Sequence, residues 1–533
     1  MLTQDKPLVR IRRRKKETKK PSMNQEIKEI RQQEDCKYIG RLKEYILSSF
    51  GQTADLMIEP MKIAENDGML FYLSTAVDNS QLQNTIMNKH TYQRTSFDLT
   101  TEEGIAEFCE QLFAGSGFKL VQSLEEVSDE MLNGSIIMAL KTFPSYITIS
   151  MPNSNIRQVA EPTSQTVIRG PKDSFVEIAS INMTLVRRRI RNSNLRFEEF
   201  TLGSETKTKV FIGYMHGIAN DKIVEEVRSR LNKVRVAAIF ESGNIEELIE
   251  DKTFTVFPLA FNTERPDTVA GQLMEGKICI IVDGTPFTLL IPVVFTDFFI
   301  SSEDYYHHYT ISTFLRIIRY ISFMIVLIVP SAYVGILTFH QELVPTPLLI
   351  NIMAQREGVP FPAVVEVLIM ELTFEILREA GIRMPRAVGQ TVSIVGALVI
   401  GQAAAEAGLI SNIMVIIVAI TATANFVAPV YSLSAATRIL RLLLIPIAGF
   451  LGLYGVLLGL VVMVAHLSSL RSFGVPYLAP VAPFSLKDQK DVFIRFPFWG
   501  MNRRPSYLRT EKPAKQERTG SNSPPDMQRR NDG

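Results

Sequence analysis

Long apolar runs set residues 320–466 apart from the rest of the chain. Four of these runs lie at residues 320–339, 388–409, 413–431 and 439–466. Pro330 interrupts the first run, which predicts a broken helix there. A helix needs about 20 apolar residues to cross a bilayer, whereas soluble cores break apolar runs after roughly 4–8 residues in strands and 10–15 in helices. The pattern therefore predicts a multipass α-helical membrane domain, which we bound at residues 311–470.

Residues 361–378 form a fifth membrane element, an acidic amphipathic helix in which charged side chains punctuate an apolar run. Its charged positions and the one that follows are Glu366, Glu371, Glu375, Arg378 and Glu379. At about 100° per residue, the last four share one face about 100° wide. Ionisable groups at membrane depth usually face a pore or a partner, and acidic rings select cations in channels.

We therefore predict that Glu366, Glu371 and Glu375 line an ion path, with Arg378 and Glu379 as supporting charges. Two other interpretations stay open. The element can lie flat at the membrane surface as an amphipathic helix, or Glu375 and Arg378 can form a purely structural ion pair.

The region before the apolar runs has the pattern of a large cytoplasmic α/β (α+β) region of two subdomains, residues 40–160 and 161–310. Helices are predicted at 41–50, 101–113 and 220–232, and strands at 134–140, 145–151, 277–282 and 286–294. Asp283-Gly284 separates the last two strands and is typical of a hairpin turn. Asn220 is placed to cap the third helix.

Average composition hides this division. The 533 residues carry 57 Lys and Arg against 55 Asp and Glu, a formal charge of only +2. Within residues 320–466, however, 13 of 147 residues are charged, about 9%, against about 26% elsewhere. Central charges cost about 2.5–3.5 kcal/mol on insertion scales, so this depletion also indicates a membrane domain.

No catalytic or metal-binding pattern accompanies the membrane signal. The three cysteines are widely separated, and Gly271-x-x-x-x-Gly276-Lys277 resembles a P-loop but continues with Ile278 instead of the Ser or Thr that holds magnesium. We therefore expect no enzyme activity, no cofactor and no metal.

Both ends of the chain are basic. Residues 1–39 are predicted to be a disordered arm in which Arg12, Arg13, Arg14, Lys15 and Lys16 contact anionic lipid, or which merely keeps the chain soluble. Nucleic acid is not expected as a partner, because no nucleic-acid-binding fold accompanies the arm. Residues 471–533 are predicted to be a basic C-terminal tail.

Orientation follows the basic residues next to short loops. Arg316 and Arg319 precede the first span, which predicts that the large N-terminal region is cytoplasmic, and the basic tail predicts the same side. An even number of crossings, between four and six, is therefore expected. A bend at Pro446 and Gly449, with partial re-entry of the long last run, would satisfy this parity.

Short motifs in a fixed order resemble the A-subunit family of GerA-type spore germinant receptors. They are Glu161-Pro162; Arg169-Gly170-Pro171-Lys172-Asp173-Ser174-Phe175; Leu185-Val186-Arg187-Arg188-Arg189-Ile190; Glu264-Arg265-Pro266-Asp267; Glu275-Gly276-Lys277; Val282-Asp283-Gly284-Thr285-Pro286-Phe287; Ser302-Glu303-Asp304-Tyr305-Tyr306; Val359-Pro360-Phe361-Pro362; Glu371 with Glu375-Ile376-Leu377-Arg378-Glu379-Ala380-Gly381; Gly389-Gln390-Thr391; and Ile394-Val395-Gly396. The chain departs from the family where Lys172-Asp173-Ser174 replaces a usual Arg-Glu-Gly and where Ser302 replaces a usual proline.

The resemblance implies a subunit of a nutrient-germinant receptor in the spore inner membrane, with its large N-terminal region and its tail on the cytoplasmic side, the spore core. It implies a permease-like B subunit, a lipoprotein C subunit and further A subunits as partners. It also implies that the A subunits form or gate a path for monovalent cations. The alternatives are a sporulation-stage paralogue acting as an accessory germination channel, a secondary transporter, and a signalling scaffold whose membrane part is an anchor.

Overall fold

The computed structural model describes residues 38–63, 66–87, 98–113, 117–153, 161–383, 399 and 401–515. They form two compact units. The first contains residues up to 49 and 56–152, and the second contains residues 50–55 and 153 onward. The lipid-contact arm and most of the predicted span at 388–409 lie outside the described residues. The domain bounds set from the sequence stay predictions.

The first unit is an antiparallel sheet covered by helices. Its strands are β1 (Leu56–Ile63), β2 (Asn66–Leu73), β3 (Phe118–Val121), β4 (Ser135–Leu140) and β5 (Tyr146–Ser150), in the order β1-β2-β4-β5-β3. Its helices are α1 (38–50), α2 (Asn79–Met87), α3 (Glu102–Leu112) and α4 (Leu124–Leu132). Strand β4 is central and buried at every position, because its six residues are apolar or small. Alternate strand residues face α3, where Ile136 and Ile147 pack near Phe108.

The second unit has another five-stranded antiparallel sheet, in the order β6-β7-β9-β10-β8. Its strands are β6 (Leu195–Leu202), β7 (Thr208–Met215), β8 (Phe261–Thr263), β9 (Ile278–Val282) and β10 (Thr288–Ile291). Its helices are α5 (Ala179–Arg189), α6 (Asp221–Lys233), α7 (Ser242–Ile249) and α8 (Pro266–Glu275). Apolar clusters cover both faces of the sheet, so β9 and β10 are buried at every position and β7 at its last six, whereas burial alternates along much of the edge strand β6.

Apolar helices continue from this sheet in the same unit. They are α9 (Tyr309–Phe339), α10 (Thr346–Arg356), α11 (Ala363–Arg383), α12 (Asn412–Asn425) and α13 (Tyr431–Ser469). Within the described residues, α9 and α13 are long and apolar enough to cross a membrane, and α12 is a shorter apolar helix. Phe323 and Leu327 of α9 share one hydrophobic cluster with Phe211 and Ile281 of the sheet, so the helices are anchored directly to the second sheet.

Helix α13 reverses direction at Gly452. This residue has φ 62° and ψ −150°, a conformation open almost exclusively to glycine. A Cβ built on Gly459 would lie 2.4 Å from Leu444 Cδ2, although these residues would be about 22 Å apart along one straight helix. The element is therefore a helical hairpin with arms of about 31 and 26 Å.

Both open ends of the hairpin lie against the second sheet, which defines the sheet end of the helices. Val430 and Leu433 belong to the sheet's hydrophobic cluster, and the His466 ring lies 3.0 Å from Thr255 Oγ1. The reversal at Gly452 lies beside Gly335 and His340 at the other end of α9. We call this other end of the helices the far end.

The chain after α13 packs back onto the second unit. Ser472 Oγ donates to the Leu259 carbonyl at 2.8 Å, and the fully buried Tyr477 donates its hydroxyl hydrogen to the Pro258 carbonyl at 2.8 Å. Further along, the Arg504 guanidinium donates to the Met274 carbonyl at 2.7 Å. The charge pattern indicated a tail here, but apolar residues interspersed in it give residues 470–515 a fixed place on the sheet.

Local sequence signals for regular structure are confirmed at several positions. Asn220 caps α6 by accepting from the Lys222 amide at 3.0 Å, and β9 pairs with β10 in an antiparallel hairpin with Gly284 at φ +99°. The expected break at Pro330 is wrong, because α9 runs through that proline. The expected bend at Pro446 and Gly449 is displaced to Gly452, since the reversal needs a positive φ.

A buried ion pair joins residues 50–55 to helix α5 of the second unit. Asp55 accepts from Arg187 Nε at 2.9 Å and from Arg187 Nη2 at 3.0 Å, and both side chains are nearly inaccessible. Thr53 Oγ1 donates to Asp55 at 2.6 Å, and Arg187 also donates to the Leu195 carbonyl at 3.1 Å. The Arg187 of the Leu-Val-Arg-Arg-Arg-Ile motif therefore has a structural role.

We predict that Asp55→Ala destabilises the second unit by about 3–5 kcal/mol, because it leaves the Arg187 cation buried without its carboxylate. The double variant Asp55→Ala/Arg187→Met should lose less than the single one. Urea unfolding of the full chain in detergent measures both changes. Equal losses of unfolding free energy in the two variants would show that the ion pair does not hold residues 50–55 in place.

A second prediction concerns pH. Burial, together with the Glu250 carboxylate, raises the pKa of Glu246 from 4.5 to about 7. The folded state therefore binds this proton more tightly than the unfolded state, and the contribution of this group to stability falls as the pH rises through about 4.5 to 7. Glu246→Gln should raise the melting temperature more at about pH 8 than at about pH 5. The exposed neighbour provides the control, Glu247→Gln, which should show no such difference.

Candidate functional site: a buried charge cluster between the apolar helices

The most deeply buried ion pair among the described apolar helices joins α11 to the first arm of α13. Glu371 Oε2 lies 2.5 Å from Arg441 Nη2, and both side chains are only 1% exposed. Glu371 lies on the buried side of α11, together with the apolar residues of that side. Arg441 lies in the middle of the arm between Tyr431 and Gly452. Neither charge could be buried in this position without the other.

Three further charges extend this pair, and the five residues together are here called the charge cluster. Glu375 Oε1 lies 3.5 Å from Arg441 Nη2, and Glu375 Oε2 accepts from Arg438 Nη1 at 3.0 Å. Arg378, one turn along α11, also donates to Glu375. The pairs 371–441 and 375–438 run in opposite directions along the two helices, so α11 is antiparallel to the first arm of α13.

The charge cluster contains three guanidinium groups and two carboxylates, a formal excess of one positive charge. Both carboxylates are ion-paired with arginine, Glu375 through hydrogen bonds from Arg378 and Arg438 and Glu371 by close contact with Arg441, so in this conformation they are not presented as free ligands for a cation. Their geometry instead clamps two helices together. Separating α11 from α13 would uncover two carboxylates at once, which is the chemistry needed for cation contact.

Glu366 belongs to a separate site at the far end. Its Oε1 accepts from the Ser411 amide and hydroxyl, both at 2.6 Å, and its Oε2 lies 3.5 Å from Arg356 Nε. The Tyr333 hydroxyl lies 3.2 Å from Ser411 Oγ. Because Ser411 also caps α12, this fully buried carboxylate ties α9, α10, α11 and α12 together.

A third charged site lies where α9 meets the second sheet. Asp304 is fully buried and accepts from Arg316 Nε at 3.0 Å and from Arg319 Nη1 at 2.7 Å. Arg316 Nη1 also donates to Asp491 Oδ1 at 2.8 Å, which binds the chain after α13 to the first turns of α9. Arg316 and Arg319, which predicted the orientation of the chain in the sequence, therefore also hold α9 in place.

The helical projection identified part of this arrangement. The structure brings Glu371, Glu375 and Arg378 together, and places Glu366 elsewhere. Glu379 lies on the exposed side, where it pairs with Arg383. The sequence analysis did not identify Arg438 and Arg441 as the partners of these glutamates. Two basic residues in an apolar stretch that contains no lysine were the signal that could have identified them.

Comparisons with known proteins agree with the resemblance seen in the motifs. The family described as the Bacillus/Clostridium GerA spore germination protein matches residues 44–507. Spore germination protein KA of Bacillus subtilis is 44% identical over 87% of this chain and 86% of its own length. Spore germination protein GerLA of Bacillus cereus is 41% identical over 72% of this chain and 78% of its own.

A solved structure of a related protein also aligns with the chain. It is the N-terminal domain of the A subunit of the Bacillus megaterium spore germinant receptor GerK3, at 32% identity over 47% of this chain and 92% of that domain, with a TM-score of 0.36. The family model covers both sheets and all the described apolar helices. The chain therefore belongs to the GerA family of spore germination proteins.

Proposed function

We propose that this chain is a membrane-embedded A subunit of a spore nutrient-germinant receptor, and that the charge cluster gates a path for monovalent cations. The observation that carries the proposal is the Glu371–Arg441 pair, buried between two apolar helices. Charges in such a position are costly and are usually kept for function.

The course of the helices supports a multipass arrangement. Helix α9 runs from the sheet end to the far end, and α11 begins beside Gly449 at the far end and points back. Ser411, at the start of α12, lies again at the far end beside Glu366, and the hairpin α13 returns both of its ends to the sheet. The chain thus enters and leaves the apolar region at one end, as a subunit with both termini in the spore core requires.

Exposed apolar side chains support contact with lipid and with other subunits. Outward positions of the hairpin include Phe450, Tyr454, Leu457 and Val461, all more than half exposed. We propose the spore inner membrane as the location. The partners we propose are a permease-like B subunit, a lipoprotein C subunit and further copies of this chain.

Gating follows from the ionic balance of the charge cluster. In the clamped conformation three arginines neutralise two glutamates, and the excess positive charge repels cations. A movement of α11 away from α13 removes Arg438 and Arg441 from the two glutamates. Arg378 stays beside Glu375 on α11, so the cluster residues of that helix then carry a net charge of −1 along the path. A ligand-driven change elsewhere in the receptor must supply the free energy that separates the pairs.

We predict that Glu371→Gln/Glu375→Gln lowers the germinant-dependent cation current by about tenfold or more (tenfold corresponds to ~1.4 kcal/mol), because the path then has three arginines and no carboxylate of the cluster to contact a cation. Arg441→Gln should raise the current without germinant, because it weakens the clamp. The measurement is conductance of the purified receptor in planar bilayers with its B and C subunits present.

Glu379→Gln is the matched control for this prediction, since Glu379 is an exposed glutamate of the same helix and pairs with Arg383. It should leave current and selectivity unchanged. A receptor that conducts no ions, or one whose current is unaffected by neutralising both buried glutamates, would remove the gating role from this cluster.

A further inference from the structure

Residues 484–499, here called the aromatic segment, follow α13 and expose several large apolar side chains. The exposed residues are Phe484, Leu486, Phe493, Ile494, Phe496, Phe498 and Trp499. Trp499 is the only tryptophan of the protein. Contiguous exposed apolar surface of this kind marks a site of contact with a membrane or a partner.

The aromatic segment lies along the first turns of α9. The Arg495 amide donates to Thr313 Oγ1 at 3.1 Å, and the Thr313 hydroxyl donates to the Arg495 carbonyl at 3.3 Å. The Phe493 and Tyr320 ring centroids are 4.8 Å apart. The segment is therefore fixed at the same depth as residues 313–320.

The length of α9 says where that depth lies relative to a bilayer. Its 31 residues span about 46 Å, whereas the hydrocarbon core is about 30 Å thick. The apolar run of α9 begins only at residue 320, after Arg316 and Arg319, so the excess of about ten residues lies at its sheet end, at the level of the lipid headgroups. Ile311, Phe314, Ile317 and Ile321 are exposed on this part of α9 and extend the apolar surface of the aromatic segment toward the span.

We infer that the aromatic segment docks on the bilayer surface as an interfacial anchor, with its rings among the headgroups. Aromatic side chains, and tryptophan above all, concentrate at this level of a membrane. Asp488 and Asp491 of the same segment accept from the Ser506 amide and from Arg316, and the exposed Lys487 and Lys490 are left to match the negative charge of anionic headgroups. A surface with this charge, continuous with the exposed apolar side of a candidate span, fits lipid better than a second protein.

The anchor would connect membrane contact to the joint of α9. Asp491, within the aromatic segment, binds Arg316 through its side chain and its carbonyl, at 2.8 and 2.7 Å. Arg316 in turn binds Asp304, so docking of the segment on lipid fixes the start of α9. The inference rests on the membrane placement of α9 given above, and the experiment separates the two.

The single tryptophan provides the test. The full chain is reconstituted into vesicles of phosphatidylglycerol and phosphatidylcholine, with bromine atoms placed either near the headgroup or deep in the acyl chains. Emission from Trp499 should shift to shorter wavelength relative to the denatured chain. It should lose more intensity with shallow bromines than with deep ones.

Two rearranged single-tryptophan variants serve as controls. Trp499→Phe/Phe450→Trp moves the probe to an exposed position of the hairpin, where either bromolipid should quench it if the hairpin lies in the membrane. Trp499→Phe/Phe240→Trp moves it to an exposed position of the second unit beside the β9–β10 turn, where neither should quench it.

Quenching of the Phe450→Trp probe without quenching of Trp499 would overturn the anchor and leave the membrane placement intact. Absence of quenching at both positions would overturn the membrane placement itself. Protection of Trp499 from aqueous acrylamide without quenching by either bromolipid would show that another protein surface, and not lipid, covers the segment.

Discussion

The ion pair between Glu371 and Arg441 is the interaction on which the arrangement of the apolar helices depends. Two apolar helices have little reason to choose one another in a lipid environment, because lipid chains are as apolar as leucine. A buried carboxylate and a buried guanidinium remove that freedom, since neither tolerates separation from the other. The pair thus fixes the register of α11 against α13, and Glu375 with Arg438 repeats it one turn away.

The reversal at Gly452 and the charged contacts at both ends of the helices also determine how these helices are arranged. Gly452 allows the chain to reverse, so that the arm after Arg438 and Arg441 returns to the sheet instead of ending at the far end. At the sheet end, Asp304 holds α9 through Arg316 and Arg319, and at the far end Glu366 holds four helices through Ser411 and Arg356. Charged groups therefore occur at both ends and in the middle of the helix assembly, where a change in one helix can reach the others through discrete contacts.

The sequence predicted the elements whose signals are local. Apolar period, caps and turn residues located α6, β4, β5, the β9–β10 hairpin and most of α11. The sequence did not predict the partners of Glu371. A helical projection shows which residues share a face of one helix, but it does not show which other helix packs against that face. Pro330 and Pro446 were also misjudged, since a proline inside an apolar helix is accommodated by neighbouring packing, whereas the positive φ of Gly452 marks the true reversal. Residues 471–533 were predicted to be a basic tail because their charge outweighed the scattered apolar residues. In the described part, up to residue 515, the chain packs against the second unit.

Exchange of the two charges at the centre of the charge cluster tests their role most directly. Glu371→Arg and Arg441→Glu each place like charges together in a buried site, whereas the double exchange restores an ion pair. Thermal unfolding of the full chain in detergent micelles, with Glu379→Arg/Arg383→Glu as an exposed exchange, gives the comparison. We predict that both single variants melt well below the unchanged chain and that the double variant recovers much of the loss. Single variants that melt at the temperature of the unchanged chain would contradict the central role of this pair. So would a double variant whose melting temperature falls by as much as the two single losses added together.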